Sequence, residues 1–247
     1  MSPADLTSAP EPVDLSLVIP VFNERDNLEP LMREIAGSLA GTRWRYEILM
    51  VDDGSTDGTD EVLRRLAATH PELRVVRFVR NAGQTAAMDA GFRRARGRVV
   101  VTLDADLQND PADIPRLVGE LEGWDAVVGV RSVRRDSLVR RVSSRIANYV
   151  RNRLSDETIT DTGCSLKAYR RDALDRLKLY RGMHRFLPTL LKMEGYRVRE
   201  LPVGHRARAH GDSKYGIGNR LVPSFVDLLA VRWMKKRALR YEVRDDA

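Results

Sequence analysis

The chain has 247 residues, 43% hydrophobic and 31% charged, with a net charge of +7. That balance fits a folded, soluble chain of one domain, or of one domain with a subdomain, and excludes a disordered or fibrous one. No run of about 18 apolar residues reads as a membrane span, residues 1–14 lack the apolar centre of a signal peptide, and the single cysteine, Cys164, excludes an intrachain disulfide and reads as a packed thiol.

Residues 1–14 read as a loose tail. Leu15–Val21 then reads as a strand and Asn27–Leu39 as a helix. Tyr46–Val51 is a predicted strand, followed by a Gly/Asp/Ser/Thr turn and a helix over Thr59–Thr69, with Ser55 or Thr56 as its expected cap. Next come a strand at Leu73–Val79, a helix through Ala86–Arg96 and a strand at Val99–Leu103. A helix at Pro111–Leu121 and a strand at Ala126–Val130 complete the first half. Strands alternating with helices of about 10–15 residues predict βαβ units and a mostly parallel sheet, an α/β fold with a Rossmann-like layout. No Gly-x-Gly-x-x-Gly follows the first strand, where Asn23-Glu24-Arg25-Asp26 stands instead, which argues against a dinucleotide-dependent oxidoreductase. A Gly-x-x-x-x-Gly-Lys-Ser/Thr loop is also absent, which argues against a P-loop nucleotidase.

The second half changes character. From Arg131 to Arg153 the arginines 131, 134, 135, 140, 141, 145, 151 and 153 face one acid, Asp136, and a helix is expected from Ser137 to about Leu154. A second basic segment, His205–Lys214, reads as a loop because of Gly211. A last helix is expected from about Asn219 to Arg237. Val222, Val226, Leu229 and Trp233 form a stripe at helical spacing, with Leu221, Phe225 and Leu228 beside it, before Lys235-Lys236-Arg237. Such a helix suits a membrane interface, and equally a core or a dimer contact. The net positive charge suggests an anionic partner, nucleic acid, a membrane surface or a phosphorylated substrate, but charge alone does not decide, and a solvated basic face is the other reading of the arginine run.

Four predicted strand ends carry polar signatures. Ile19–Glu24 offers an apolar face at Phe22, with donors and acceptors at Asn23 and Glu24. Val51–Thr59 contains Asp53, suited to accept from a base N–H. Arg80–Gln84 contains Gly83, where the backbone can approach closely. The fourth end is Leu103–Gln108. In an extended chain side chains at i and i+2 point the same way, so Asp104 and Asp106 would converge just past the strand. Two hard oxygen donors at that spacing suit Mg2+ or Mn2+ bound together with phosphates. A solvated pair in a turn is the other reading of these two residues.

Taken together, these segments resemble family 2 glycosyltransferases of the GT-A fold. Within that family the chain resembles the polyprenyl-phosphate branch, the dolichyl-phosphate mannose synthase-like and undecaprenyl-phosphate sugar transferase-like enzymes. The resemblance rests on Val18–Glu24, Val51–Asp57, Leu103–Gln108, Val128–Arg131, Asp161–Arg170 and Arg208–Tyr215, and covers roughly residues 15–234. It implies a nucleotide-sugar site at Pro20, Phe22, Asn23, Glu24, Asp53, Gly83, Asp104, Ala105, Asp106, Gln108 and Lys214. It implies Mg2+ or Mn2+ on Asp104, Asp106 and Gln108, and an acceptor phosphate at Arg131, Arg140, Ser144 and Arg208. Asp104, Asp106, Arg131 and Arg208 would carry the reaction: inverting transfer of a hexose from a UDP- or GDP-sugar to a polyprenyl phosphate. It further implies a catalytic domain over 15–215, with a nucleotide-sugar half at 15–131 and an acceptor half at 132–215. Residues 216–247 would form an interfacial or oligomerisation helix and basic tail.

Many relatives carry membrane spans beyond the catalytic domain, and none is seen up to Ala247. The expectation is peripheral attachment to the inner face of the cytoplasmic membrane, a membrane-anchoring partner, or a homo-oligomer. Two rivals remain. A family 2 enzyme acting on a sugar hydroxyl is disfavoured because Asp161-Thr162-Gly163 lacks a Glu-Asp base pair. A nucleic-acid-binding protein is disfavoured because the arginine run has few interleaved aromatics. Asp161 is expected either to touch the sugar or to cap the turn before Gly163. His184 is expected to be structural, and His205 and His210 show no zinc-ligand spacing.

Overall fold

A computed structural model of the chain describes residues 12–131, 159–207, 218–239 and 244. Its centre is one seven-stranded sheet in the order β3-β2-β1-β4-β6-β5-β7. β1 (Leu15–Val21), β2 (Tyr46–Asp52), β3 (Leu73–Arg77) and β4 (Val99–Thr102) run parallel, as expected from the alternation of strands and helices. β6 (Lys167–Arg170) is antiparallel to both β4 and β5 (Ala126–Arg131). β7 (Val198–Val203) lies parallel to β5 at the edge. The C-terminal ends of the parallel strands and the start of β6 therefore share one edge of the sheet. Ligands of open α/β sheets sit at that edge, beside the point where strand order reverses, here between β1 and β4.

Helices cover both faces, which is why the central strands are apolar on both sides. On one face Leu17 and Ile19 pack with Leu28, Leu31 and Ile35 of α1 (Leu28–Leu39) and Leu63 of α2 (Thr59–Thr69). On the other, Val18 and Val100 pack with Met88 and Phe92 of α3 (Gln84–Phe92), with Tyr169, and with Leu187 and Leu191. β1 alternates between the two clusters, as period-2 geometry requires.

Several boundaries differ from the sequence reading. β3 stops at Arg77 rather than Val79, because Asp52↔Arg77 is its last pair with β2. α3 begins at Gln84, directly after Gly83, and closes at Phe92 rather than Arg96, as the N–H of Arg94 tightens onto the carbonyl of Gly91. β4 ends at Thr102, because the Asp104 N–H is drawn to the Ser165 hydroxyl. The helix expected over Pro111–Leu121 is a 3-10 turn, Pro111–Asp113, followed by α4 (Ile114–Gly119). Pro115 has no N–H for the Pro111 carbonyl, which takes the N–H of Ile114 instead.

Beyond β5 the described elements are β6, α5 (Arg171–Asp175), a 3-10 turn at Met183–Phe186, α6 (Leu187–Met193), β7 and α7 (Gly218–Arg237). α7 docks through Leu228 and Val231 onto Met183, Phe186 and Leu190. The helix expected from Ser137 to Leu154 and the 208–214 loop lie outside the described residues. Among the described residues no helix is long and apolar enough to cross a membrane.

Candidate functional site

The loops after β1 and β2 brace each other. Asn23 takes a left-handed conformation at φ 54°. Its N–H donates to the Ser55 hydroxyl at 2.9 Å, and its side-chain oxygen accepts from the Thr56 N–H at 2.8 Å. The Glu24 N–H donates to Thr59 Oγ1 at 3.1 Å, and its carboxylate accepts from Asn27 Nδ2 at 2.6 Å. Ser55 and Thr56 are thus tied to Asn23 and do not cap α2, which corrects the sequence reading. The N-cap is Gly58 at φ 89°, and Asp57 accepts the Thr59 N–H at 3.0 Å and its hydroxyl at 2.6 Å. Burial pushes the Asp57 carboxyl up, but these bonds and one from the Arg25 N–H outweigh it and hold it below the usual range. Pro20, Phe22, Asn23 and Glu24 are all partly exposed along this edge.

Asp53 is 3% exposed and closes the third loop. Its Oδ1 accepts from the Ala82 N–H at 2.6 Å, and its Oδ2 from the Gly83 N–H and Asn81 Nδ2, each at 2.9 Å. The carboxylate expected to read a base is therefore engaged with the backbone of residues 82–83. Gly54, at φ 73°, lets the two loops touch, since a Cβ there would stand 2.7 Å from backbone atoms of Arg80 and Asn81. Gly83 has a backbone reason of its own to be glycine. A Cβ would meet nothing within 4 Å, but φ 94° and ψ 155° are open essentially to glycine alone.

Residues 104–109 form the loop after β4. It is a turn, so the extended i, i+2 argument for Asp104 and Asp106 does not describe it. Asp106 is 6% exposed and folds back so that Oδ1 accepts from the Gln108 N–H at 3.2 Å, with Leu107 left-handed at φ 61°. Asp104 is held from outside its motif: Gln84 Nε2 donates to its Oδ1 at 2.8 Å. Ala105 is buried in the core. From below, the Ser165 hydroxyl accepts from the Asp104 N–H at 3.1 Å and from Asn109 Nδ2 at 2.7 Å. From outside, the Arg206 N–H donates to the Gln108 carbonyl at 2.8 Å, and its guanidinium pairs with Asp110 and Glu34. Arg206 therefore anchors the chain to the Asp-x-Asp loop. Two carboxylates and an amide oxygen are hard donors that fit Mg2+ or Mn2+ when a diphosphate completes the shell. Among the described residues no three His, Cys, Asp or Glu side chains gather into a metal cluster.

On the far side of the edge, Arg131 at the end of β5 forks onto Asp161, with Nε–Oδ2 at 2.7 Å and Nη2–Oδ1 at 2.8 Å. Asp161 also accepts from the Gly163 N–H at 3.0 Å, which realises the capping role expected of it. A Cβ on Gly163 would stand 2.8 Å from Arg131 Nη2, so this glycine leaves room for the fork. Behind the fork, Lys167 is 3% exposed at the first position of β6, opposite Thr102. Burial holds its ammonium below the usual range, while the carboxylates of Asp161 and Asp104 pull it back up. Cys164 is buried and burial pushes its thiol up to about 11, consistent with a packed thiol. His184 Nδ1 meets Thr85 Oγ1 at 2.7 Å and ties α3 to the 3-10 turn at 183–186, a structural place. Arg140, Ser144, Arg208 and Lys214 lie outside the described residues. Gln84, Ser165 and Lys167 went unassigned in the sequence because each reaches the edge from a segment distant from the loop after β4, and Asn109 because it stands one residue past the motif.

α7 turns its two apolar stripes to different surroundings. Leu228 and Val231 are buried, whereas Phe225, Val226, Leu229 and Trp233 are exposed, Trp233 by 64%. At about 100° per residue these four fall within an arc of about 100°. Arg232, Lys236 and Arg237 lie at or near its borders.

The family model described as glycosyl transferase family 2 matches residues 16–178. A dodecaprenyl-phosphate galacturonate synthase of Rhizobium johnstonii is 43% identical over 238 residues, covering 94% of this chain and 69% of the relative. An undecaprenyl-phosphate 4-deoxy-4-formamido-L-arabinose transferase of Pseudomonas fluorescens is 43% identical over 218 residues, 87% of this chain and 64% of the relative. The chain thus spans about two thirds of the length of these curated relatives. Among solved structures, a Pyrobaculum calidifontis mannosyltransferase in complex with GDP-Man and Mn2+ superposes with a TM-score of 0.65 at 24% identity, over 94% of this chain and 66% of that one. A Mycobacterium tuberculosis glucosyl-3-phosphoglycerate synthase with Mg2+ and UDP gives 0.68 at 19% identity, over 92% and 81%. These two likenesses establish the fold.

Proposed function

The chain belongs to glycosyl transferase family 2, and from that premise we propose that it moves a glycosyl group from a nucleotide sugar to a polyprenyl phosphate, inverting the anomeric centre. One observation carries the reading: Asp104, Asp106 and Gln108 share a loop at the C-terminal edge of the parallel strands, joined through Gln84 to the loop that Asp53 closes. The acceptor class is supported by the relatives, whose names both carry a polyprenyl phosphate, one as a synthase and one as a transferase. Their sugars are galacturonate and a substituted arabinose, so the donor need not be a neutral hexose.

A phosphate monoester has a second pKa of about 6, so its oxygen is ionised at neutral pH and attacks without a general base. The difficulty is charge, since an anionic nucleophile must approach an anionic diphosphate. A divalent cation on Asp104, Asp106 and Gln108 would screen the diphosphate and favour its departure. Asn23 and Asp53 serve the donor by holding the loops in which Pro20, Phe22, Glu24 and Gly83 stand, rather than by reading the base directly. Arg131, fixed by Asp161, supplies a cation of set orientation on the acceptor side. The family resemblance assigns the acceptor phosphate to Arg140, Ser144 and Arg208 as well, and the donor diphosphate or the acceptor phosphate to Lys214. The exposed apolar arc of α7, with cations beside it, would rest on the inner face of the cytoplasmic membrane, where the lipid acceptor resides.

The test is a panel of radiolabelled nucleotide sugars with undecaprenyl phosphate, read by lipid extraction, in the presence of Mg2+ or Mn2+. The full chain is expected to label the lipid with one donor. Asp106→Ala is expected to reduce labelling at least about 100-fold while the variant stays folded by circular dichroism, as loss of a group that acts in the transition state does. Full activity of that variant would sink the assignment.

A further inference from the structure

We infer that Ser165 and Gln84 are positioning residues that fix Asp104 for cation binding, one through its backbone and the other through its carboxylate. The inference rests on the cation reading of Asp104 and Asp106 given above. Asp104 sits just past the end of β4, where the ladder with β1 and β6 no longer holds the chain. A carboxylate on a turn is free to swing unless something outside the turn fixes it. One contact from outside the turn holds the Asp104 main chain, and another holds its carboxylate. Ser165 Oγ accepts the Asp104 N–H at 3.1 Å and Asn109 Nδ2 at 2.7 Å, so one hydroxyl pins both ends of the loop 104–109. Ser165 is itself immobilised, since its carbonyl accepts from Thr102 Oγ1 at 2.7 Å on the neighbouring strand. From the opposite side, Gln84 Nε2 donates to Asp104 Oδ1 at 2.8 Å. Gln84 is the first residue of α3, whose start is set by Gly83 and the Asp53 carboxylate. The carboxylate is therefore oriented by the same loop that Asp53 closes. Groups that hydrogen-bond to metal-binding side chains fix their direction, and losing one typically weakens metal affinity about 10–100-fold.

Mn2+ is titrated into the full chain with UDP, and separately with GDP, and free Mn2+ is read by electron paramagnetic resonance. Ser165→Ala and Gln84→Met are expected to weaken Mn2+ binding about 10-fold each. Ser165→Thr, which keeps the hydroxyl, should stay within about 2-fold of the parent, and that rescue separates positioning from packing. The Mn2+ concentration giving half-maximal sugar transfer should rise in parallel, with the rate at saturating Mn2+ changing less. Gln84 is partly exposed at a helix start, so Gln84→Met remains decisive should Ser165→Ala fail to fold. Affinities within about 2-fold of the parent for both Ser165→Ala and Gln84→Met would overturn the inference while leaving the cation reading intact. Absence of Mn2+ binding by the parent chain with either nucleotide would overturn both.

Discussion

The Arg131–Asp161 fork shows how a residue read as a ligand for substrate can first be a ligand for the protein. The family resemblance implies that Arg131 meets the acceptor phosphate, and the structure turns its Nε and Nη2 onto a carboxylate that is almost fully buried. A bidentate pair of this kind sets the plane of the guanidinium, which a solvated arginine lacks. Because Asp161 is buried and Arg131 is only partly so, removing the acid strands one charge in a half-dry place. Asp161→Asn is expected to cost about 2 kcal/mol in urea unfolding, and a double-mutant cycle with Arg131→Gln should return a coupling of about 1.5 kcal/mol or more. A coupling near zero would mean that the fork is incidental to the fold.

At the scale of elements, the edge is built by loops that hold one another. Asp53 is the hub, accepting from the N–H groups of Ala82 and Gly83 and so fixing where α3 begins. Gly83→Ala should therefore be costly although its Cβ would meet open space. The strain of φ 94° and ψ 155° in an alanine is worth about 1–3 kcal/mol. Relief of that strain would rotate the Gly83 N–H off Asp53 and carry Gln84 away from Asp104. The expected outcome is a drop in melting temperature together with weaker Mn2+ binding. A variant as stable and as metal-competent as the parent would refute the hub. The sequence carries part of this design. β1, β2 and α2 are legible because a parallel strand buried on both faces is a continuous apolar run and α2 has one apolar stripe. β6 and β7 are not legible. The first is four residues long with Lys167 and Arg170 at its ends, and the second is an edge strand containing Arg199, Glu200 and Pro202. The loop motif at 104–108 is legible as chemistry, but its supports are not. Gln84 and Ser165 come to Asp104 from 20 and 61 residues away, a closeness that only the sheet order creates.

At the scale of the whole molecule, the proposed lipid acceptor sets a requirement on the surface. Its net charge is +7, and α7 presents Phe225, Val226, Leu229 and Trp233 outward while Leu228 and Val231 hold it to the body. A buried partner stripe and an exposed apolar stripe on one helix mean that the outward face is not needed for the fold. Apolar insertion and cationic attraction make different predictions, and the proposed membrane contact would draw on both. Each lysine or arginine near an anionic surface contributes about 1 kcal/mol, an attraction that fades within a Debye length of about 8 Å at physiological salt. Burial of apolar area is by comparison insensitive to salt. The chain is therefore expected to sediment with vesicles containing phosphatidylglycerol, and to do so much less with pure phosphatidylcholine. Raising salt to about 1 M should release most of it, since the Debye length then shrinks to about 3 Å. Phe225→Ser with Trp233→Ser should weaken binding at both salt concentrations without lowering the melting temperature, because neither side chain is buried. Binding that is lost with salt but indifferent to those two substitutions would place the contact elsewhere on the basic surface and leave α7 without a membrane role.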